Sequence, residues 1–162
     1  MTALPPFSLV DSSGSLTAFP TGRHALLCFV KQDCPTCILT LPLIEAAHRA
    51  FGGAIDVWVN SQDDSPTRAA LIEEHALTVP LLDDSALAAS FAYDLDTVPT
   101  IILADAIGNE LRQSVGFGKT DWRELMGELA RISGARLPDI AWSTYPEMRP
   151  GCGSKSVEPG IA

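Results

Sequence analysis

Two cysteines separated by two residues, Cys34-Pro35-Thr36-Cys37, are the residues of this chain best suited to chemistry. A thiolate at the first cysteine can attack a disulfide, and the second sulfur can reach the first to close a small ring and release the captured half. The spacing alone leaves two other readings open, half of a zinc site and a pair of inert thiols. A zinc site of this type takes a second pair at matching spacing, and the other cysteines, Cys28 and Cys152, form none. Redox exchange is therefore the expectation, with no metal.

The elements around the pair must place it at a strand-to-helix junction. Ala25–Val30 is an unbroken apolar run of the kind found in buried parallel strands. Pro35 through Ala50 reads as a helix, with proline at its first position, Gly52-Gly53 as its stop and Pro42 as a kink within it. Cys34 then falls at the N-cap and Cys37 about one turn in. Unpaired N–H groups and the positive end of the helix favour a thiolate there.

Residues 7–19 read as a hairpin, 55–59 as a strand, and 65–76 as a helix capped by Ser65 with Pro66 first. Strands over 78–82, 100–104 and 110–115 follow, with a short helix to about Ala92 capped by Asp83, Asp84 or Ser85. Asp63 and Asp64 likewise read as caps. Thr120 should cap a last helix ending at Gly134, with Trp122, Leu125, Met126, Leu129 and Ile132 at helical spacing. Strands alternating with helices imply an α/β fold with a mixed central sheet covered by helices on both faces. One domain is expected over residues 1–134. The segment 135–162 is rich in proline and glycine, lacks periodicity, and reads as a C-terminal extension.

Four features in register resemble the thioredoxin superfamily. They are the Cys-Pro-Thr-Cys motif after an apolar strand, Pro42 eight residues after Cys34, Val98-Pro99-Thr100 ahead of a strand, and Val115-Gly116 before the last helix. The long segment between Cys37 and Pro99 and the opening Pro6-Phe7-Ser8-Leu9-Val10-Asp11 are similar to the redoxin branch, which holds TlpA-like reductases and peroxiredoxin-related proteins. The resemblance implies a thioredoxin-like fold with an N-terminal hairpin. It implies thiol–disulfide oxidoreductase activity without a cofactor, in which Cys34 attacks and Cys37 resolves. It also implies a cis bond at Pro99 and a backbone at Val98 that aligns an extended substrate. The partners it implies are a protein or small-molecule disulfide and an electron-donating dithiol protein.

The chain departs from that pattern at several positions. Cys28 stands where thioredoxins keep a buried acid, and it reads as a small buried hydrophobe. Asp33 precedes Cys34 where thioredoxins carry tryptophan, and its charge opposes the helix end. Lys31 and Asp33 read equally as solvated loop charges. Lys31 also stands where a peroxiredoxin places its peroxide-binding threonine, which weighs against the alternative of a thiol peroxidase. A second alternative is a binding module in which the cysteines act only as a redox-sensitive latch. Cys152, between Gly151 and Gly153, reads as accessible and mobile, either an incidental thiol or a third redox thiol. An ordered tail would pack through Trp142 and Tyr145.

The wider composition narrows the partners. The chain has 162 residues, of which 46% are hydrophobic, and 11 basic against 20 acidic residues give a net charge of −9. Such a surface repels nucleic-acid phosphates and anionic lipid. The apolar runs are far short of a membrane span. The opening residues lack a basic start followed by an apolar stretch, and a cytoplasmic protein is the expectation.

Overall fold

The strand β3 (Ala25–Val30), buried along its whole length, is the axis of the molecule. The computed structural model describes residues 2–157 of the chain. Ahead of β3, the antiparallel hairpin of β1 (Phe7–Val10) and β2 (Leu16–Phe19) forms as the sequence implies. After β3 come α1 (Pro35–Phe51), β4 (Asp56–Ser61), α2 (Ser65–His75), β5 (Leu81–Asp83) and α3 (Ala88–Ala92). β6 (Thr97–Val98), β7 (Thr100–Ala104), β8 (Glu110–Val115), β9 (Phe117–Gly118) and α4 (Lys119–Ser133) complete the domain.

Five strands make the central sheet in the order β5-β4-β3-β7-β8. β4 and β5 run parallel to their neighbours, while β3–β7 and β7–β8 are antiparallel, so the sheet is mixed. Complete burial of β3 requires cover on both faces. α1 packs on β4 and against α4. The hairpin contributes Phe7 and Phe19, whose rings stack at 5.2 Å and meet Trp58 of β4 edge-on at 6.2 and 6.4 Å.

Several boundaries differ from the sequence reading, each for a local reason. β4 continues through Asn60 and Ser61, because these polar residues pair with Phe29 and Val30 and are buried. β5 begins at Leu81 rather than Thr78. The N–H groups of Thr78 and Val79 donate to the Glu45 carboxylate at 2.8 and 2.9 Å and are not free for a ladder. Asp64, not Ser65, caps α2 by accepting from Thr67 N–H at 3.0 Å, which puts Pro66 one position further in. α4 starts at Lys119 after Gly118, so Thr120 lies inside the helix and does not cap it.

The C-terminal extension is not featureless through Val157. A 3-10 turn at Trp142–Thr144 is followed by β10 (Met148–Arg149), which pairs with β9, and β11 (Cys152–Gly153), which pairs with β6. Tyr145 stacks on Phe117 at 5.8 Å and meets Trp142 at a tilt at 5.9 Å, the packing foreseen for an ordered tail. Residues 158–162 of the expected extension lie outside the described residues.

Candidate active site

β3 runs straight into the turn Lys31-Gln32-Asp33 and then into α1, so Cys34 stands at the junction with extended backbone (φ −125°, ψ 107°). Its Sγ accepts a hydrogen bond from the Cys37 N–H at 3.3 Å, the capping contact of the helix. The turn is held by Asp63 at the end of β4, whose carboxylate takes the Gln32 N–H at 3.0 and 3.1 Å and the Ser61 hydroxyl at 3.0 Å. Asp63 is thus a buried tie across the sheet end and not a helix cap. Lys31 is also not a solvated loop charge: only 7% of its side chain is exposed, and its ammonium lies 3.8 Å from Asp33.

Cys37 lies one turn further along the helix and is buried. Burial pushes its thiol well above the usual thiol range. A backbone hydrogen bond from Lys31 opposes this, and the neighbouring Cys34 and Cys152 sulfurs add to it. Cys37 therefore needs a base before it can act as a nucleophile. Cys28 offers none. It is fully buried in β3, and burial alone drives its thiol far up.

Val98 meets the pair from the other side. Its bond to Pro99 is cis, and its carbonyl accepts from Cys34 Sγ at 3.5 Å. The four residues singled out from sequence in the domain, Cys34, Cys37, Val98 and Pro99, therefore converge at one end of the sheet.

The fifth, Cys152, comes to the same place. It lies opposite Val98 in the antiparallel β11–β6 pair, and its side chain interacts with that of Cys34. It is half-buried in a strand pair rather than an exposed loop thiol. A Cβ on Gly151 would sit 2.5 Å from the Val98 carbonyl oxygen, so that glycine serves close approach rather than freedom. Gly116, at φ +74°, similarly leaves room for the Arg149 carbonyl and the Gly151 N–H.

Residues without a sequence signal hold this arrangement. The Thr36 hydroxyl donates to the Pro150 carbonyl at 2.7 Å. The Gln62 amide is buried between domain and tail: its Nε2 donates to Ser154 Oγ at 2.7 Å and Ser90 Oγ at 2.9 Å, and its Oε1 accepts from Lys155 N–H at 3.0 Å. Ser154 N–H donates to the Asp96 carbonyl at 3.0 Å. Nothing in the local pattern around Gln62 or Ser154 separates them from surface polar residues. Among the described residues no cluster of three or more His, Cys, Asp or Glu is placed to hold a metal, and no helix is long and apolar enough to cross a membrane.

A family model described as Redoxin matches residues 2–125. No curated protein matches the chain by sequence. Solved structures do match. One is a Chlorobium tepidum protein provisionally named thiol:disulfide interchange protein DsbE. It is 20% identical, with a TM-score of 0.74 over 82% of this chain and 96% of its own. A secreted Mycobacterium tuberculosis disulfide oxidoreductase homologous to E. coli DsbE is 18% identical, with a TM-score of 0.64 over 77% and 95%. The Xanthomonas campestris bacterioferritin comigratory protein, described for alkyl peroxide reduction, is 14% identical, with a TM-score of 0.69 over 82% and 99%. At these identities the likeness is one of fold, the thioredoxin-like fold.

Proposed function

The chain belongs to the Redoxin family and is an oxidoreductase, and from that premise we propose that it exchanges electrons between dithiols and disulfides through Cys34 and Cys37. The observation that carries this reading is the position of Cys34 Sγ. It takes the Cys37 N–H at the helix start and stands 3.5 Å from the Val98 carbonyl, beside the cis proline. A sulfur held this way is pre-positioned for in-line attack on a disulfide presented along β6.

In the forward half-reaction the Cys34 thiolate attacks one sulfur of a disulfide. A Cys34–substrate disulfide forms and the other substrate sulfur leaves as a thiolate. Cys37 then loses its proton, attacks Cys34 Sγ and releases the second substrate thiol, leaving Cys34–Cys37 oxidised. With the buried neighbour Cys28 itself a high-pKa thiol, water or the departing substrate thiolate supplies the base for this step. A second dithiol protein restores the reduced pair. The Val98 backbone orients an extended protein disulfide, so substrate and reductant use the same edge.

The test compares insulin-disulfide reduction and hydrogen-peroxide consumption by the native chain, Cys34→Ser and Cys37→Ser. Disulfide turnover that falls at least about a thousandfold in either variant is the expected outcome. Peroxide turnover that depends on Cys34, without disulfide turnover, would instead make the protein a thiol peroxidase. Partner capture with neither activity would make it a redox-sensitive binding module.

A further inference from the structure

The nucleophile of this site is covered. Cys34 is 0% exposed although the reaction requires it to meet an external sulfur, and the segment lying at the site is the chain's own tail. Within 148–154 it is not held chiefly by apolar surface, although Tyr145 just ahead of it stacks on Phe117. Met148, Arg149 and Gly153 are exposed, and the contacts are those of an added strand. Cys152 and Gly153 pair with Val98 and Thr97, Ser154 N–H continues the pairing to the Asp96 carbonyl, and Thr36 reaches the Pro150 carbonyl. This is the backbone-led mode by which a sheet edge takes an extended peptide, and the residue it brings opposite Val98 is a cysteine. Two glycines make room for the close approach, Gly151 just ahead of β11 against the Val98 carbonyl and Gly116 against the Arg149 carbonyl and Gly151 N–H.

Building on the dithiol-exchange reading, we propose that the segment 148–154 is a tethered substrate, and that Cys152 is a third redox cysteine that forms a disulfide with Cys34. The tail lifts, and the Cys34 thiolate attacks an external disulfide, forming a Cys34–substrate bond and expelling one substrate thiolate. The tail returns, Cys152 gives up its proton and attacks Cys34 Sγ, and the second substrate thiolate leaves and takes that proton. Two protein thiols are oxidised to Cys34–Cys152, and one external disulfide is reduced to two thiols. Cys37 can then attack Cys34 Sγ and expel Cys152, converting Cys34–Cys152 into Cys34–Cys37 without further electron transfer. The docked tail also decides which outside molecules reach Cys34, because an external peptide competes with it for the β6 edge.

The experiment uses the full chain with oxidised glutathione and maps disulfides by mass spectrometry after acid trapping and non-reducing digestion. In Cys37→Ser, the expected product is Cys34–Cys152 with glutathione released. A stable Cys34–glutathione adduct beside a free Cys152 overturns the proposal. The native chain, given less than one oxidising equivalent, checks the same point without relying on a variant. A Cys34–Cys152 fraction that decays into Cys34–Cys37 supports the proposal, and direct formation of Cys34–Cys37 alone overturns it. In Gly151→Val with Cys37→Ser, the yield of Cys34–Cys152 should fall about fivefold or more and the rate of Cys34 alkylation by iodoacetamide should rise about tenfold. Unchanged values for both sink the docking argument. If Cys34–Cys37 forms and turns over while Cys34–Cys152 never does, this inference fails and the dithiol reading stands. If the native chain makes no Cys34–Cys37 bond and turns over no external disulfide, the parent reading fails as well.

Discussion

Two segments are added to the edges of this molecule, the hairpin β1–β2 at one end of the chain and the tail strands β10 and β11 at the other, and they are held by different means, the tail with one aromatic anchor, Tyr145 on Phe117, ahead of its strands. The hairpin is fastened by aromatic rings. Phe7 and Phe19 stack on each other and meet Trp58 edge-on, and Tyr93 meets both Phe7 and Phe29. The tail at the site is fastened by backbone pairing and by the Gln62 amide, the Ser154 hydroxyl and the Thr36 hydroxyl. Apolar surface has no attractive alternative in water, so the hairpin stays down. Hydrogen bonds exchange with water at little net cost, and each contributes only about 1 kcal/mol. A polar attachment can therefore open without unfolding the domain, as a segment covering a nucleophile must.

That contrast can be broken at either end. The largest effect should come from the hairpin. Phe19→Ala removes a buried ring and should cost about 3–5 kcal/mol, read as a lower midpoint in global denaturant unfolding. A loss below about 1 kcal/mol would mean that the rings do not anchor the hairpin.

Glu45 is a polar contact that cannot open cheaply. Its carboxylate takes the N–H groups of Thr78 and Val79 and the Thr78 hydroxyl. Burial alone would raise its pKa, but those bonds and Arg49 outweigh burial and hold it below the ordinary value. An acid depressed in the fold adds stability above its unfolded pKa and loses it as pH falls through the folded one. Its contribution should therefore fade as pH drops below 4.5. Glu45→Ala should cost roughly 2–3 kcal/mol at neutral pH and flatten that acid limb of the stability curve. A variant with the native acid limb would show that the carboxylate is not the titrating group.

The smallest effect on global stability should come from the tail. Gln62→Ala removes bonds to the Ser154 and Ser90 hydroxyls, both buried while the tail is docked; opening of the tail lets water reach them, so the global midpoint should shift by only about 1 kcal/mol. It should nevertheless raise amide exchange at residues 152–156 by about tenfold. A large global loss with no local change would place the tail in the same class as the hairpin.

What could be read without coordinates is whatever one stretch of chain announces by itself. The apolar run Ala25–Val30, the proline at the start of α1, the glycine after α4 and the strands at 100–104 and 110–115 are local signals, and each element forms there. The cysteine pair at a strand–helix junction and Val98-Pro99 ahead of β7 were visible for the same reason, since their types and spacing lie within a few residues. The cap of α2 and the start of β5 were misplaced because a neighbouring carboxylate decided each: Asp64 one residue earlier, and Glu45 from another element.

The place of the tail belongs to the tertiary structure alone. Gly151 and Gly153 around a cysteine read equally as freedom or as close approach, and only the Val98 carbonyl opposite settles which. β6 and β11 are two residues each, too short to carry a period, and their pairing joins positions more than fifty residues apart. Local preference determined where the reactive sulfurs sit on the chain. Long-range backbone pairing, which leaves no pattern in the residues that make it, decided what lies over them.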